Sequence, residues 1–238
     1  MSSMDRFMFE KVLAVRKKRL LSDLNLYLIT DRHRFGNSLT GDTDFIDHVA
    51  ACLEGGVGIV QLRESKTTPD RKFMTLAKSL RTITAEFGAY LIIAERADIA
   101  KAVGADGVHL SPDSMDVNSA RKIVGHESII GLSVYAQGEA EIALEQEIDY
   151  LTAGPVFASE MVPGQPAVGL NFLKWLNNRT ELPWFAAGGI DLAAVPQVLS
   201  GGAQRIALTR ALMASRQPKQ DAQKLLDILS AQKALSLR

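Results

Sequence analysis

The chain has 238 residues, 47% of them apolar and 23% charged, the composition of a globular domain with room for a sizeable core. Lysine plus arginine balances aspartate plus glutamate at 27 each, so no overall field favours nucleic acid or a membrane surface. A single cysteine, Cys52, rules out an intrachain disulfide and argues against a thiolate metal cluster.

Met1 to Asp23 carries Phe7, Val12, Val15 and Leu20 partly on one side, which predicts an extra N-terminal helix. Residues 1–25 are therefore read as an extension and 26–238 as the main domain. Asp5, Arg6, Glu10, Lys11 and the run Arg16-Lys17-Lys18-Arg19 interrupt any continuous apolar region, so a secretory signal is disfavoured. No stretch approaches the roughly 20 apolar residues needed to span a bilayer. The expectation is a cytoplasmic protein with neither nucleic-acid nor membrane partner.

From there short apolar runs alternate with segments of helical period. The predicted strands are Leu26–Thr30, Gly58–Leu62, Tyr90–Ile93, Gly107–Leu110, Ile129–Ser133, Tyr150–Ala153, Trp184–Ala187 and Ile206–Leu208. Most are continuously apolar, as strands buried on both faces must be. Between them, apolar residues at three and four spacing predict helices over Phe45–Glu54, Arg71–Phe87, Ser119–Val124, Glu139–Glu147, Phe172–Asn178 and Leu192–Leu199. Gly88, Gly104, Gly125 and Gly201 stand where helix ends require positive φ. Cys52 sits on a buried helix face, and Trp175 and Trp184 read as packing residues. Eight such units close most economically as a single parallel (β/α)8 TIM barrel, with a doubly wound open sheet as the runner-up. The Gly/Pro-bearing segment Ala158 to Val168 is long enough to be a lid.

In a barrel of this kind the loops after the strands form the active face. The strand ends here carry Asp31; Gln61, Arg63 and Lys66; Glu95 and Arg96; His109, Ser111 and Asp113; Ser133 and Tyr135; Ser159; Gly188 and Gly189; and Thr209 with Arg210. That polar set contrasts with the apolar strands feeding it. Gly188-Gly189-Ile190-Asp191 joins a strand to a helix, where amides and the helix dipole suit an anion; the plain alternative is a tight turn. Gln61 and Arg63 share a strand face, which points to a polar or anionic ligand unless Arg63 simply pairs with Glu95 or Asp113. Glu95 and Asp113 could together hold Mg2+, or merely balance Arg63 or Arg96. His109 reads first as a hydrogen-bonded barrel histidine and second as a general base. His33, His48 and His126 have no metal-ligand spacing.

In order and spacing, Leu26–Asp31, Val60–Glu64, Ala97–Ala100, Gly104–Leu110, Gly131–Ser133, Asp149-Tyr150, Gly154–Phe157 and Gly188–Ile190 resemble the thiamine phosphate synthase family and its relative, the thiazole tautomerase. The resemblance covers Leu26 to Met213. It implies a transferase joining hydroxymethylpyrimidine diphosphate to a thiazole phosphate, with Mg2+ and release of diphosphate. Catalytic roles would fall to Arg63, Lys66 and Ser133. Gln61, Arg63, His109, Ser159, Gly188, Gly189, Leu208 and Thr209 would bind substrate, and Glu95 with Asp113 the metal. The partner would be a small phosphorylated heterocycle; a homo-oligomer is left open. The chain departs from the family pattern at Ala94-Glu95, where the family has Asn-Asp, at Ser114, a metal-binding Asp there, and at Ser65, a Lys there. Ser159-Glu160-Met161-Val162 replaces Thr-x-Thr-Lys. These changes imply a weaker grip on the departing diphosphate and keep two alternatives in view. One is a barrel that binds a phosphorylated heterocycle without turnover. The other is a tautomerase-like isomerase using Tyr135 or His109.

Overall fold

The computed structural model describes residues 24–36 and 40–236. The expected N-terminal helix lies outside them. Eight parallel strands close into a barrel in chain order: β1 Leu26–Ile29, β2 Ile59–Leu62, β3 Tyr90–Ala94, β4 Gly107–Leu110, β5 Ile129–Val134, β6 Tyr150–Ala153, β7 Trp184–Ala187 and β8 Ile206–Leu208. Each agrees with its expected span to within one residue at either end. Closure is made by β8 pairing with β1, Tyr27 opposite Ala207, so no edge strand remains.

The helices are α1 Gly41–Glu54, α2 Asp70–Glu86, α3 Ala97–Val103, α4 Val117–Val124, α5 Gln137–Leu144, α6 Gly169–Arg179, α7 Val195–Ser200, α8 Arg210–Met213 and α9 Pro218–Ser236. Of these, α3, α8 and α9 had no counterpart among the predicted helices. Gly88, Gly104 and Gly125 adopt the expected positive φ, but Gly201 does not. It closes α7 at φ −76, and the following Gly202 takes the left-handed conformation instead.

Side-chain alternation divides the core into two layers. Facing out, Leu28, Val60, Leu62, Leu91, Ile93, Val108 and Leu151 pack under the helices, where Cys52 is buried as expected. Burial pushes the Cys52 thiol up to about 12, so it is inert packing. Facing in, Tyr27, Ile59, Tyr90, Ile92, Ile129, Tyr150 and Phe185 fill the barrel. Tyr27, Tyr150 and Phe185 meet edge to face at centroid separations of 5.2–6.0 Å, each pair adding about 1 kcal/mol beyond simple burial. This plug closes the barrel from below and forms the floor of whatever lies above. No helix among the described residues is long and apolar enough to cross a membrane.

Candidate functional site

Above that plug, at the end where the strands terminate, lies a cavity of about 730 Å3. Gln61, Arg63, Lys66, Glu95, His109, Asp113, Ser133, Ser159, Gly188, Gly189, Leu208 and Thr209 all contribute to its wall. The structure thus brings every residue expected to bind substrate or metal to one place, though they do not contribute alike; of the strand-end set, Asp31 lies outside the wall, paired with Arg34 at 2.8 Å.

Arg63 follows β2 on the same face as the buried Gln61. Its guanidinium forms no ion pair with Glu95 or Asp113. Nη2 donates to the Met161 carbonyl at 3.0 Å, and Nη1 lies 3.7 Å from the Met161 sulfur. The cation is therefore held against the expected lid by neutral partners. Glu64, next in sequence, is used differently. Its buried carboxylate accepts from Arg32 Nε at 3.1 and 3.2 Å and from the Thr68 hydroxyl at 2.9 Å, tying the loop after β2 to the turn after β1. Glu64 is structural, and Arg63 is left to the cavity.

Glu95 ends β3 at φ +65, the one non-glycine left-handed residue among the described residues. A side chain that long gains nothing from this backbone region, which costs about 1–3 kcal/mol and concentrates at functional sites. Its carboxylate accepts the Ser111 amide at 3.1 Å. Arg96, which could have balanced it, is instead held by Asp98 and Asp70 at 2.7 and 2.6 Å. Those two carboxylates raise the Arg96 pKa and lock its charge on. Asp113 and Lys66 also line the cavity, and neither has an ion pair among the described residues. No group of three or more His, Cys, Asp or Glu there could enclose a metal. Glu95 and Asp113 fit a cation that takes only one or two protein carboxylates and completes its shell with phosphate and water, the habit of Mg2+.

The floor is a continuous set of hydrogen bonds. Gln61 Nε2 donates to the Tyr27 hydroxyl at 3.0 Å, and the Tyr27 and Tyr150 oxygens lie 2.9 Å apart. Tyr150 in turn is 2.9 Å from His109 Nδ1, and His109 Nε2 is 2.9 Å from Ser133 Oγ and 3.3 Å from Thr152 Oγ1. Burial holds His109 neutral, its pKa pushed down to about 3. The hydrogen-bonded reading of His109 stands, and a base that could hold a proton at neutral pH is absent there. Burial also raises the Tyr135 pKa, partly countered by the nearby Ser133 side chain, so even less phenolate is present at neutral pH than in free tyrosine.

At the opposite wall, Gly188 and Gly189 have φ +85 and +69. A Cβ on Gly189 would meet the Phe157 and Ala158 carbonyls at 2.7 and 2.6 Å, so glycine is required for the turn itself. The expected helix does not begin here. A turn capped by Asp191, whose Oδ1 accepts the Ala194 amide at 2.9 Å, intervenes before α7. What the cavity receives is main chain: among the described residues the Gly189 and Ile190 amides have no protein acceptor. Leu208 likewise presents only backbone, since its side chain is in the outer core. Ser159 is largely occupied by its own loop, its hydroxyl accepting the Met161 amide at 3.3 Å. Residues 158–168 cover this side, with Glu160 3.5 Å from Arg210 across exposed space.

Reading the strand ends left out Tyr27, Tyr150 and Thr152, which support the floor, and Arg34 and Met161 on the wall. The only available signal was a hydroxyl on the inward face of an otherwise apolar strand.

Comparison with known proteins gives a consistent result. The family model described as thiamine monophosphate synthase matches residues 26–212. A candidate thiamine-phosphate synthase of Geobacter sulfurreducens is 42% identical over 209 residues, covering 87% of this chain and 95% of that protein. A thiamine-phosphate synthase of Mycobacterium sp. (strain KMS) is 38% identical over 218 residues, covering 88% and 94%. Among solved structures, thiamine phosphate pyrophosphorylase from Pyrococcus furiosus superposes with a TM-score of 0.79 at 34% identity, covering 90% of this chain and 98% of that one.

Proposed function

The chain belongs to the thiamine monophosphate synthase family and is a transferase of that kind, and on that premise we propose how its own residues carry the transfer. The reaction joins the methylene carbon of hydroxymethylpyrimidine diphosphate to a thiazole phosphate. The carbon–oxygen bond to diphosphate breaks and diphosphate leaves. Because positive charge develops on carbon while negative charge gathers on the leaving oxygens, the site must offer donors and cations to those oxygens.

In this reading Gln61 and Arg63 grip the pyrimidine and its diphosphate, Lys66 adds a second cation, and Ser133 donates to the leaving oxygens. Gly188, Gly189, Leu208 and Thr209 hold the thiazole phosphate by main-chain groups, while His109 and Ser159 complete the wall. Glu95 and Asp113 would hold Mg2+, which would supply charge neutralisation on the diphosphate. Arg63 must leave the Met161 carbonyl to meet an oxyanion. A charge-assisted bond to phosphate is about twice as strong as one to a neutral acceptor, so that exchange favours the ligand.

The observation carrying this reading is the convergence of Gln61, Arg63, Lys66, Ser133 and the open amides of the Gly189 turn on one cavity. Incubating the purified full chain with both substrates and Mg2+ should yield thiamine phosphate and diphosphate. Product no greater than the enzyme-free background would overturn it.

A further inference from the structure

Donors and acceptors beneath the cavity can be counted, and the count fixes a direction. An amide nitrogen can only donate, so the Tyr27 oxygen accepts from Gln61. Tyr27 is fully buried, and its own hydrogen has one acceptor within reach, the Tyr150 oxygen. Tyr150, also buried, must then pass its hydrogen to His109 Nδ1. That leaves the imidazole proton on Nε2, facing Ser133 and Thr152. The reverse order would strand a tyrosine hydrogen in the barrel core, at a cost of about 1–3 kcal/mol.

The consequence appears at the cavity wall. The His109 Nε2–H and the hydroxyls of Ser133 and Thr152 bring three hydrogens to two hydrogen bonds: His109 to Ser133 and Ser133 to Thr152. The longer His109–Thr152 approach shares the same Nε2 hydrogen and uses no other. One hydroxyl hydrogen is therefore left over, and both hydroxyl residues line the cavity. With the proton on Nδ1 instead, two hydrogens would meet two bonds and nothing would remain to donate. At the other end Gln61 spends one amide hydrogen on Tyr27 and keeps a second N–H and its carbonyl oxygen for the ligand.

Resting on the transferase reading, we propose that His109 is a positioning residue. The relay Gln61–Tyr27–Tyr150 holds its ring as the Nε2–H tautomer, and that tautomer makes the Ser133 and Thr152 hydroxyls a net donor toward a phosphate oxyanion. The path is set by sequence in one further way. A Cβ on Gly131 would overlap the Tyr150 ring, so glycine in β5 is what lets Tyr150 reach His109.

The direct test is a long-range proton–nitrogen spectrum of the full chain labelled with [15N]histidine, with His109 assigned through His109→Gln. The expected pattern is a single Nε2–H tautomer; Nδ1–H, or an average of the two, overturns the proposal. Tyr150→Phe removes the hydrogen aimed at Nδ1 and should let the ring change tautomer. In that variant inorganic diphosphate should bind roughly fivefold to tenfold more weakly by calorimetry, about the worth of one such bond. The kcat should fall by about tenfold at little cost in KM for the thiazole phosphate. Asparagine at 109 can accept from Tyr150 but cannot reach Ser133, whereas glutamine can place an N–H near Nε2. His109→Asn should therefore lose severalfold more diphosphate affinity than His109→Gln. Equal losses, or an unchanged diphosphate affinity in Tyr150→Phe with its ring tautomer shifted, overturn the role. The tautomer and diphosphate readouts need no turnover, so failure of the transferase reading would be seen separately, as absent product with these results intact.

Discussion

The two ends of this barrel treat charge in opposite ways. At the closed end Asp106, just before β4, accepts from Arg81 at 2.6 Å and from the Leu91 amide at 2.8 Å. Asp149, just before β6, accepts from Arg121 at 3.1 Å and the Ile130 amide at 2.9 Å, while Arg121 also serves the Gly125, Ser128 and Glu147 carbonyls. Each charge there is saturated by protein. At the open end Lys66 and Asp113 have no ion partner among the described residues, Arg63 rests on a carbonyl, and Glu95 is held in an unfavourable backbone region. Buried charge that stabilises is paired within the chain, and charge that binds is left facing a cavity. The open end holds paired charges as well, Arg32 with Glu64 and Arg96 with Asp70 and Asp98, which brace its loops around the unpaired ones.

That contrast can be broken by substitution. Arg63→Ala should lower kcat/KM for thiamine phosphate formation by about 100- to 1,000-fold, as loss of one preorganised charge donor does, while leaving the thermal midpoint nearly unchanged. Arg121→Ala should do the reverse. It strands Asp149 and several carbonyls, and about 3 kcal/mol of stability should disappear in urea unfolding with kcat retained. If either variant behaved like the other, the division of the barrel would be wrong.

Acid should sharpen the picture further. The folded pKa of His109, about 3, lies below the ordinary value of 6.5, so between these limits the unfolded chain binds a proton that the folded one refuses. Stability is therefore fully present above pH 6.5 and falls as pH drops toward 3, by up to about 1.4 kcal/mol per pH unit from this group. In His109→Gln this contribution to the slope of stability against pH should vanish. The smallest effect is expected at Glu95. Asparagine enters the left-handed region more readily, so Glu95→Asn should gain about 0.5 kcal/mol. The same variant should need severalfold more Mg2+ for half-maximal activity. Loss of stability together with an unaltered Mg2+ response would argue that Glu95 is structural, like Glu64.

The strands were legible because burial on both faces demands unbroken apolar runs, and nothing else in the chain looks like Tyr90-Leu-Ile-Ile93 or Trp184-Phe-Ala-Ala187. Helix α3 was missed because seven residues hold barely two turns of pattern, and α9 because its apolar positions are diluted by lysine, glutamine and aspartate. At the site, residue type and strand end were enough to nominate Arg63, Ser133 and the Gly189 turn. Partnership was not legible. Tyr27 and Tyr150 stand 123 residues apart, and only closure of the barrel makes them neighbours. Arg63 and Met161 are 98 apart, so the arginine's resting place against the lid left no local trace. The left-handed backbone at Glu95 has no signature in residue type either, since glutamate is not chosen for that region.

The central claim is that the open end is an oxyanion cavity, and a crystal of the full chain grown with thiamine phosphate, diphosphate and Mg2+ tests it most directly. The account predicts the thiamine phosphate ester against the Gly189 and Thr209 main chain and the diphosphate on Arg63, with Arg63 released from the Met161 carbonyl. Phosphate groups bound elsewhere, or an Arg63 still seated on Met161 beside a bound ligand, would contradict it.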